Sequence, residues 1–389
     1  LYLSSKPVGN KKVLLCVSGG IAAYKSINLM RSFQKQGFDV SVALSESAKN
    51  FVSKIAFKAL TAFPVIDNLF DEDSISPHIE LTRWADVVVV APTTANTISK
   101  IAHGRADSLI SACVISSKKP VVIFPAMHEE MWINSVVQEN ILSIKNSGHT
   151  VINPQVGELA SGDFGEGRLP SDKDIIFESL KALTPQILKD QKIIVTSGGS
   201  VTKIDPVRCI TNFSSGKMGT EVAKWARLMG AEVTHIKAGR DFRTNDELLD
   251  QLEKTIDNET VLFMVAAPND YEVIETSDIK IKRTSDELTI NLKKSKDILA
   301  YLTNDLKMKF VVGFAAETNN HEMNAKQKIV AKNLDVICVN NVVGEKSAFG
   351  SDENELQIIS KSGEILMIER TSKSECAKQL CEYVSEQLS

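Results

Sequence analysis

Between Ile204 and Gly219 the chain reads IDPVRCITNFSSGKMG, gathering a proline, two basic residues, Asn212, Ser214-Ser215 and Gly216-Lys217 into one short run. A strand-like run, Lys192 to Thr196, and the pair Gly198-Gly199 precede it, and a helix-like pattern begins near Thr220. Strand, polar glycine-bearing loop and helix is an order in which main-chain N–H groups and the positive end of a helix face an anion. Gly216-Lys217 does not make a P-loop. Thr211 stands where that motif needs glycine, and Met218 where it needs Ser or Thr. The loop therefore holds a phosphate by some other arrangement, or Ser214-Ser215-Gly216 only caps a helix.

Further basic residues converge on the same half. Lys280, Lys282 and Arg283 form KIKR, which reads as a strand whose alternation puts both lysines on one face. Lys328 and Lys332 lie four apart on a helical pattern and share a face. Ordinary solvated lysines would look the same. FAAETNN, Phe314 to Asn320, follows a strand and brings polar groups to that end of the sheet, so that with SSGK it could surround a triphosphate. Asp270, in AAPNDY after another strand, suits a metal ion or a ribose.

The first half carries different chemistry. Ser18-Gly19-Gly20 follows a short apolar strand and opens a helix, without the GxGxxG of dinucleotide binders. That spacing suits one phosphate on a helix N-terminus, so a mononucleotide such as FMN fits better than NAD. APTTAN, Ala91 to Asn96, sits at the carboxyl end of a central strand, where α/β ligands bind. Its bland reading is a helix start capped by Thr94 or Asn96. His78 in HIELTRWAD and His128 in FPAMHEEMW are lone histidines, and two without a third ligand do not make a metal centre.

Positioning these residues takes two successive α/β units. Strands are expected at Val13–Val17, Phe38–Ala43, Val87–Val90, Val121–Phe124 and Thr150–Ile152, then at Lys192–Thr196, Glu232–Ile236, Val261–Ala266, Phe310–Gly313 and Asp335–Val339. Continuous β-branched runs separated by helices imply parallel sheets covered on both faces. Hairpins are expected at 279–282 with 288–292 and at 355–359 with 365–368, then a helix from Ser374 to Gln387. Gly157 to Pro170 reads as a long glycine-rich loop, either a lid or a surface excursion. Residues 1–10 read as a disordered lead-in, 11–184 as the first domain, 185–190 as a linker marked by Pro185, and 191–389 as the second domain.

A net charge of −4 with 24% charged residues points away from nucleic acid. No apolar run is long enough to span a bilayer. The six cysteines have neither CxxC nor zinc spacing and are expected as reduced, mostly buried thiols of a cytoplasmic protein.

Taken in order, GGIAAYK, HIELTRWAD, APTTANTISKIAHGRAD and GEGR, then IDPVR, SSGKMG, KIKR, GFAAETNN, KQKIVAKNLD and FGSDEN, make the chain from about Lys11 to Leu388 similar to one family. It resembles the bacterial bifunctional coenzyme A biosynthesis proteins, which join phosphopantothenoylcysteine decarboxylase to phosphopantothenate–cysteine ligase. The resemblance implies a flavodoxin-like, three-layer FMN-binding domain followed by a Rossmann-like α/β nucleotide-binding domain. It implies a ligase that uses CTP and magnesium to turn 4′-phosphopantothenate into an acyl-cytidylate, from which the amine of cysteine displaces CMP. It also implies FMN-dependent oxidation of the product's cysteine thiol to a thioaldehyde. That electron sink releases CO2, and reduced flavin then returns the electrons to give 4′-phosphopantetheine. By position, His78 would be catalytic, with Gly19, Gly20, Ser45, Thr93, Ala95 and Asn96 at FMN. Asn212 would serve acyl-cytidylate turnover and Lys280 would stabilise developing charge. Asp270, Lys280, Lys296, Asp297, Ile298, Phe314, Lys328 and Lys332 would contact CTP, and Asp270 its magnesium. Trimeric contacts around the flavin and dimeric contacts through the ligase would make a homo-oligomer, with small-molecule substrates and neither nucleic acid nor membrane as partner.

The chain departs from the family at three places. His128 stands where the family has Asn, and Ser161 where it has the cysteine that protonates the enethiolate. A serine hydroxyl is a far weaker acid than a thiol of pKa about 8.5. The expected donor is therefore His128, or a water held by Ser161 and Asp163. In the second half, GGSVTKIDPVR lacks the usual Pro-Thr-x-Glu, while Asn212 and Lys280 are kept. Three competing readings follow. The first is a ligase with a degenerate flavin domain kept for oligomerisation. The second is a non-catalytic regulator, disfavoured by the intact ligase motifs. The third is oxidative decarboxylation of peptidyl cysteine, disfavoured by the fused second half.

Overall fold

Residues 11–70, 75–283, 287–317, 321–341 and 351–388 are described by the computed structural model, and the chain divides after Pro185 into two units. In the first, the expected apolar runs form β1 (Lys12–Val17), β2 (Asp39–Leu44), β3 (Val65–Ile66), β4 (Val87–Thr93), β5 (Val121–Pro125) and β6 (Thr150–Val151). All pair in parallel, in the order β3-β2-β1-β4-β5-β6. Without the two-residue edge strand β3 this is the flavodoxin-like doubly wound order. Every residue of β4 and β5 is buried, as a sheet covered on both faces requires. Leu81, Ile98, Ile110 and Ile141 bring four helices onto one face, against Leu14, Val88, Val90 and Ile123. Each such buried side chain contributes about 1.5–3 kcal/mol.

The stretch from Gly157 to Pro170 corrects the loop reading. It contains most of an antiparallel hairpin, β7 (Gln155–Glu158) with β8 (Phe164–Arg168). The inward positions of β8 are Gly165 and Gly167, flanked by exposed Phe164 and Arg168, so the alternation that marks a strand is hidden. The glycines are required by close approach. A β-carbon on Gly167 would lie 2.0 Å from Met127 O, and one on Gly165 would lie 2.4 Å from the Glu129 carboxylate.

The second unit is built from β9 (Lys192–Ser197), β10 (Val201–Lys203), β11 (Cys209–Thr211), β12 (Glu232–Lys237), β13 (Thr260–Met264), β14 (Tyr271–Val273), β15 (Leu292–Lys294), β16 (Phe310–Glu317), β17 (Val336–Asn341), β18 (Glu353–Ser360) and β19 (Ile365–Ser372). Its main sheet runs β12-β9-β13-β16-β17-β18-β19, with five parallel strands and then the expected closing hairpin. The helix Lys373–Leu388 ends the described chain and packs on the helix Lys217–Leu228, with Trp225 Nε1 donating to Ser374 Oγ at 3.0 Å.

Three expectations need correction here. Residues 279–283 are not a strand, so Lys280 and Lys282 share no strand face; β15 pairs instead with β14. The run from Ile204 to Gly219 is not wholly loop, because β11 within it pairs with β10. The segment after Pro185 is no free linker. Leu188 is fully buried and its N–H donates to Met229 O at 2.9 Å, while Gln186 Nε2 donates to Leu228 O at 2.9 Å.

His235 on β12 shares a 2.7 Å hydrogen bond with the buried Ser197 Oγ at the end of β9. Burial first, then Arg240, Arg227 and Lys237, opposed by Asp241, push its pKa down to about 4. The folded unit thus holds this imidazole neutral while the unfolded chain protonates it below about 6.5. Stability is fully present above that value and declines as pH falls toward 4. Denaturant titrations of the wild type across that window should show this loss, and His235→Gln should flatten it; an unchanged slope would refute the assignment.

Candidate functional site

In the first unit the carboxyl ends of β1, β2 and β4 meet. Ser18 is fully buried; its Oγ donates to Pro92 O at 2.8 Å and accepts from Thr94 N at 2.9 Å, locking the β1 and β4 loops together. A β-carbon on Gly19 would lie 2.3 Å from Ser47 Oγ, and one on Gly20 would lie 3.3 Å from Thr94 Cγ2. Ser45 Oγ accepts from Ala48 N at 3.1 Å and lies 3.2 Å from Ser47 Oγ. Thr94, rather than Asn96, caps the helix Ala95–Ala102. The structure thus gathers Gly19, Gly20, Ser45 and Ala95 at one end of the sheet. Thr93 turns inward, fully buried, with its hydroxyl on Val90 O at 2.7 Å, and Asn96 is exposed.

Beside these loops lies a cleft of about 580 Å³, lined by Gly20, Ala95, Met127 and Met131 and by His128 and Ser161. His78 does not line it. That histidine sits in the first turn of the helix Pro77–Trp84, with a buried Nδ1 that has no hydrogen-bond partner. Such an orphaned atom is uncommon in a folded protein and needs an explanation.

His128 and Ser161 are brought together by the hairpin. Met127 N donates to Gly167 O at 3.0 Å and Glu166 N to Glu129 Oε1 at 2.9 Å, docking β8 on the loop after β5. His128 Nε2 then lies 3.0 Å from Asp163 Oδ2, with Nδ1 3.5 Å from Glu130 Oε2. The hydrogen bond to Asp163 chiefly raises the imidazole pKa, helped by the charges of Glu130, Asp163 and Glu129 and opposed by desolvation. Asp163 accepts from His128 and Ser161, which hold its carboxyl below the usual range. Lys25 and Arg168 also line the cleft, and sequence reasoning passed over both. Burial and the Arg168 charge lower the Lys25 pKa, against the pull of Asp172.

In the second unit the loops after β9 and β13 face the β10–β11 hairpin. Asn212 Nδ2 donates to Pro268 O at 3.0 Å and Ala267 O at 3.4 Å. The amino group spent on two carbonyls leaves Oδ1 as the acceptor. Asn269, unnoticed in the sequence, is 4% exposed and organises this end of the sheet. Its Nδ2 reaches Thr202 Oγ1 and Ile210 O, both at 3.0 Å, and its N–H donates to Ser200 Oγ at 2.9 Å. The exposed Asp270 follows, its carbonyl accepting from Ser295 N at 2.9 Å beside Lys296. No group of three His, Cys, Asp or Glu poised for a metal exists among the described residues.

Asp297 caps the helix Ile298–Asp305 through Ala300 N at 3.1 Å and pairs with Lys332 Nζ at 2.8 Å. Burial would raise its pKa, but Lys332 and the cap outweigh burial and lower it. Lys296 Nζ stands 3.0 Å from the centroid of the Tyr301 ring, and Ile298 is buried beneath. Lys328 lies in the last turn of the helix His321–Ala331, its carbonyl accepting from Lys332 N just past the helix end at 3.0 Å, and Phe314 is half-buried on β16. Lys217, the P-loop lookalike, is committed to Asp352 Oδ1 at 2.6 Å, and Gly216 begins the helix with φ 70°. Lys280 and Lys282 are exposed on their irregular segment. Asp205, also missed, carries that segment. Its Oδ2 accepts from Ile281 N at 3.2 Å and from Arg208 Nη1 at 2.7 Å, while Oδ1 accepts from Val207 N and Arg208 N at 2.7 and 2.8 Å. Residues 318–320 and 342–350, which include parts of GFAAETNN and FGSDEN, lie outside the described residues.

Comparison with known proteins assigns both units. Residues 2–184 match the model of the flavoprotein family, and residues 188–388 that of the DNA/pantothenate metabolism flavoprotein C-terminal domain. The chain is 37% identical over 383 residues to the coenzyme A biosynthesis bifunctional protein CoaBC of Escherichia coli K12, covering 93% of this chain and 94% of that one. It is 36% identical over 373 residues to the protein of the same name from Bacillus subtilis 168, covering 92% of each chain. To that of Vibrio vulnificus CMCP6 it is 35% identical over 373 residues, covering 92% and 93%. No helix among the described residues is long and apolar enough to cross a membrane.

The raised His128 pKa gives a direct test. Protonated His128 and ionised Asp163 attract, so their contact persists below the imidazole midpoint and is lost as pH rises through it. Nuclear magnetic resonance titration should place that midpoint above the ordinary 6.5, and Asp163→Asn should lower it; an unshifted midpoint in the variant would refute the pairing.

Proposed function

The chain belongs to the coenzyme A biosynthesis bifunctional protein family, and from that premise we propose that it runs two consecutive reactions on one substrate. The second unit ligates cysteine to 4′-phosphopantothenate at the expense of CTP, and the first decarboxylates the phosphopantothenoylcysteine so made. What carries this reading is the presence in one chain of two sheets, each with its own set of motif residues at the carboxyl ends of its strands.

In the ligase, the carboxylate of 4′-phosphopantothenate attacks the α-phosphate of CTP and pyrophosphate leaves. Charge accumulates on phosphate oxygens, where fixed cations act best. Lys280, Lys296, Lys328 and Lys332 supply them, with Lys296 braced on Tyr301 and Lys332 on Asp297. Phe314 and Ile298 take the apolar contacts of the nucleotide. Asp270 would help to hold a magnesium ion carried in with the triphosphate, and the ion would neutralise phosphate charge there. Asn212 then orients the attacking amine. Its anchored amide leaves Oδ1 to accept a hydrogen from the cysteine nitrogen as CMP departs. Asn212→Ala should slow CMP release about 10²–10³-fold while pyrophosphate release continues, so that acyl-cytidylate accumulates. Equal loss of both products would refute this role.

For the decarboxylase, FMN is the cofactor that fits. Gly19, Gly20, Ser45 and Ala95 form a small, uncharged group at the end of the sheet, and Gly20 and Ala95 line a cleft of the size that takes such ligands. When bound, the flavin supplies the two-electron oxidation and reduction that frame loss of CO2. His128 keeps a proton at Nε2 against Asp163 and delivers it to the substrate's enethiolate, with Ser161 hydrogen-bonded to the same carboxylate. Lys25 and Arg168 hold the substrate's phosphate. His78 completes its site through a second copy of the chain, in a homo-oligomer with trimeric flavin contacts and dimeric ligase contacts, and its orphaned Nδ1 supports that view.

The test is a coupled assay with 4′-phosphopantothenate, cysteine and CTP that follows pyrophosphate, CMP and CO2. All three products are expected. CMP and pyrophosphate without CO2 would leave a ligase with a degenerate flavin domain. His128→Ala should abolish enethiolate reduction while sparing CO2 release, and unchanged turnover would sink the donor role. Arg168→Gln should raise KM for phosphopantothenoylcysteine but not for pantothenoylcysteine; loss of bound flavin instead would assign the cation to the cofactor.

A further inference from the structure

Among the described residues Asp205 is the only carboxylic acid that is buried. Its side chain has no solvent exposure, whereas its ion-pair partner Arg208 keeps 41%. Taking a charge out of water is costly and is sustained only where several donors meet it. The turn alone does not need that charge. Oδ1 satisfies the N–H groups of Val207 and Arg208, which a neutral asparagine oxygen would also do. The second oxygen is what distinguishes an aspartate here, and it faces Arg208 Nη1 and Ile281 N. Arg208 Nη1 also donates to Ile281 O at 3.2 Å. The acid and the base of one turn therefore grip both main-chain groups of a single residue 76 positions away in sequence.

That residue stands between Lys280 and Lys282. Residues 279–283 belong to no strand, so no ladder fixes their main chain. Ile279 is 77% exposed, and both lysines are exposed. Ile281 alone turns inward, against the small cavity it lines with Ile204 and Val273. Gripping its N–H and C=O restricts both peptide planes, and with them the directions in which the neighbouring side chains leave the backbone.

We propose that Asp205, acting with Arg208, is a positioning residue that fixes Lys280 for the CTP-dependent activation step. IDPVR is then the clasp of the cationic segment rather than an anion loop. The inference rests on the charge-stabilising role given to Lys280 above.

The full-length chain is assayed for pyrophosphate release from CTP and 4′-phosphopantothenate. Asp205→Asn keeps the turn's acceptor and removes the charge. It should lower kcat roughly tenfold to a hundredfold and leave KM for cysteine unchanged. In a Lys280→Ala background the same change should cost less than about twofold, because residues acting as one unit give non-additive losses. Arg208→Gln, which leaves the turn's own hydrogen bonds in place, should repeat the pattern if the aspartate variant folds poorly. Additive losses in both cycles would reduce Asp205 to a structural residue and overturn the proposal. A Lys280→Ala enzyme with full activity would overturn the reading of Lys280 itself, and the clasp's catalytic meaning with it.

Discussion

Both candidate sites depend on main-chain approaches that leave no room for a β-carbon. Gly19 closes on Ser47, Gly167 on the carbonyl of Met127, and Gly219 on Thr196 O, 2.7 Å from where its β-carbon would stand. A parallel sheet delivers its loops to one end but does not bring them into contact. Contact is made by these glycines, and polar side chains can lock the loops only once it exists. Ser18 ties β1 to β4 across the Gly19-Gly20 turn, and Thr196 Oγ1 ties β9 to Ala266 N at 3.0 Å beside Gly198-Gly199. Packing thus comes first in the causal order, hydrogen bonding second, and the placement of functional side chains third.

The two units solve the electrostatic part differently. In the second, two cations of the proposed nucleotide site are braced before any ligand arrives: Lys332 by Asp297 and Lys296 by the Tyr301 ring. The partners are largely exposed, so each exposed pair contributes little to stability and chiefly restricts where the charge can point. In the first unit two cations share the cleft wall, and burial together with the Arg168 charge lowers the Lys25 pKa. Cations that repel one another in the free protein would be relieved by an anion, which accords with the substrate phosphate proposed for this wall.

Much of the fold was legible because strands buried on both faces must be continuously apolar, as VVVVA in β4 is. Legibility failed where glycine or a single pinned residue replaced a periodic pattern. The β7–β8 hairpin hides its inward face behind Gly165 and Gly167. KIKR imitates strand alternation because Ile281 alone turns inward, yet main-chain contacts to Asp205 and Arg208 hold it, not a ladder. Asn269 and Asp205 left no trace for a related reason. The contacts that give each its reach, Asn269 to Ile210 O and Asp205 to Ile281 N, are made to main-chain atoms distant in sequence, which carry no residue identity. The candidate ligands were drawn from the resemblance; the residues that hold them, and the burial of the Thr93 hydroxyl on Val90 O, cannot be read from a motif such as APTTAN.

The departures at Ser161 and His128 are, in physical terms, one change. Losing a thiol from the hairpin removes an acid near neutral pH, since a serine hydroxyl does not ionise there. Placing histidine where the resemblance implies an asparagine adds an acid, on the loop that the hairpin covers. Asp163 joins the two, accepting from Ser161 and from His128 Nε2. Its charge keeps the imidazole protonated to higher pH than an isolated histidine. An asparagine at 128 would give Asp163 a hydrogen bond but no transferable proton, and a histidine without Asp163 would be mostly neutral at pH 7. The proton donor proposed for this cleft is therefore the pair, and its geometry depends on Gly165 and Gly167 letting the hairpin lie against residues 127–129.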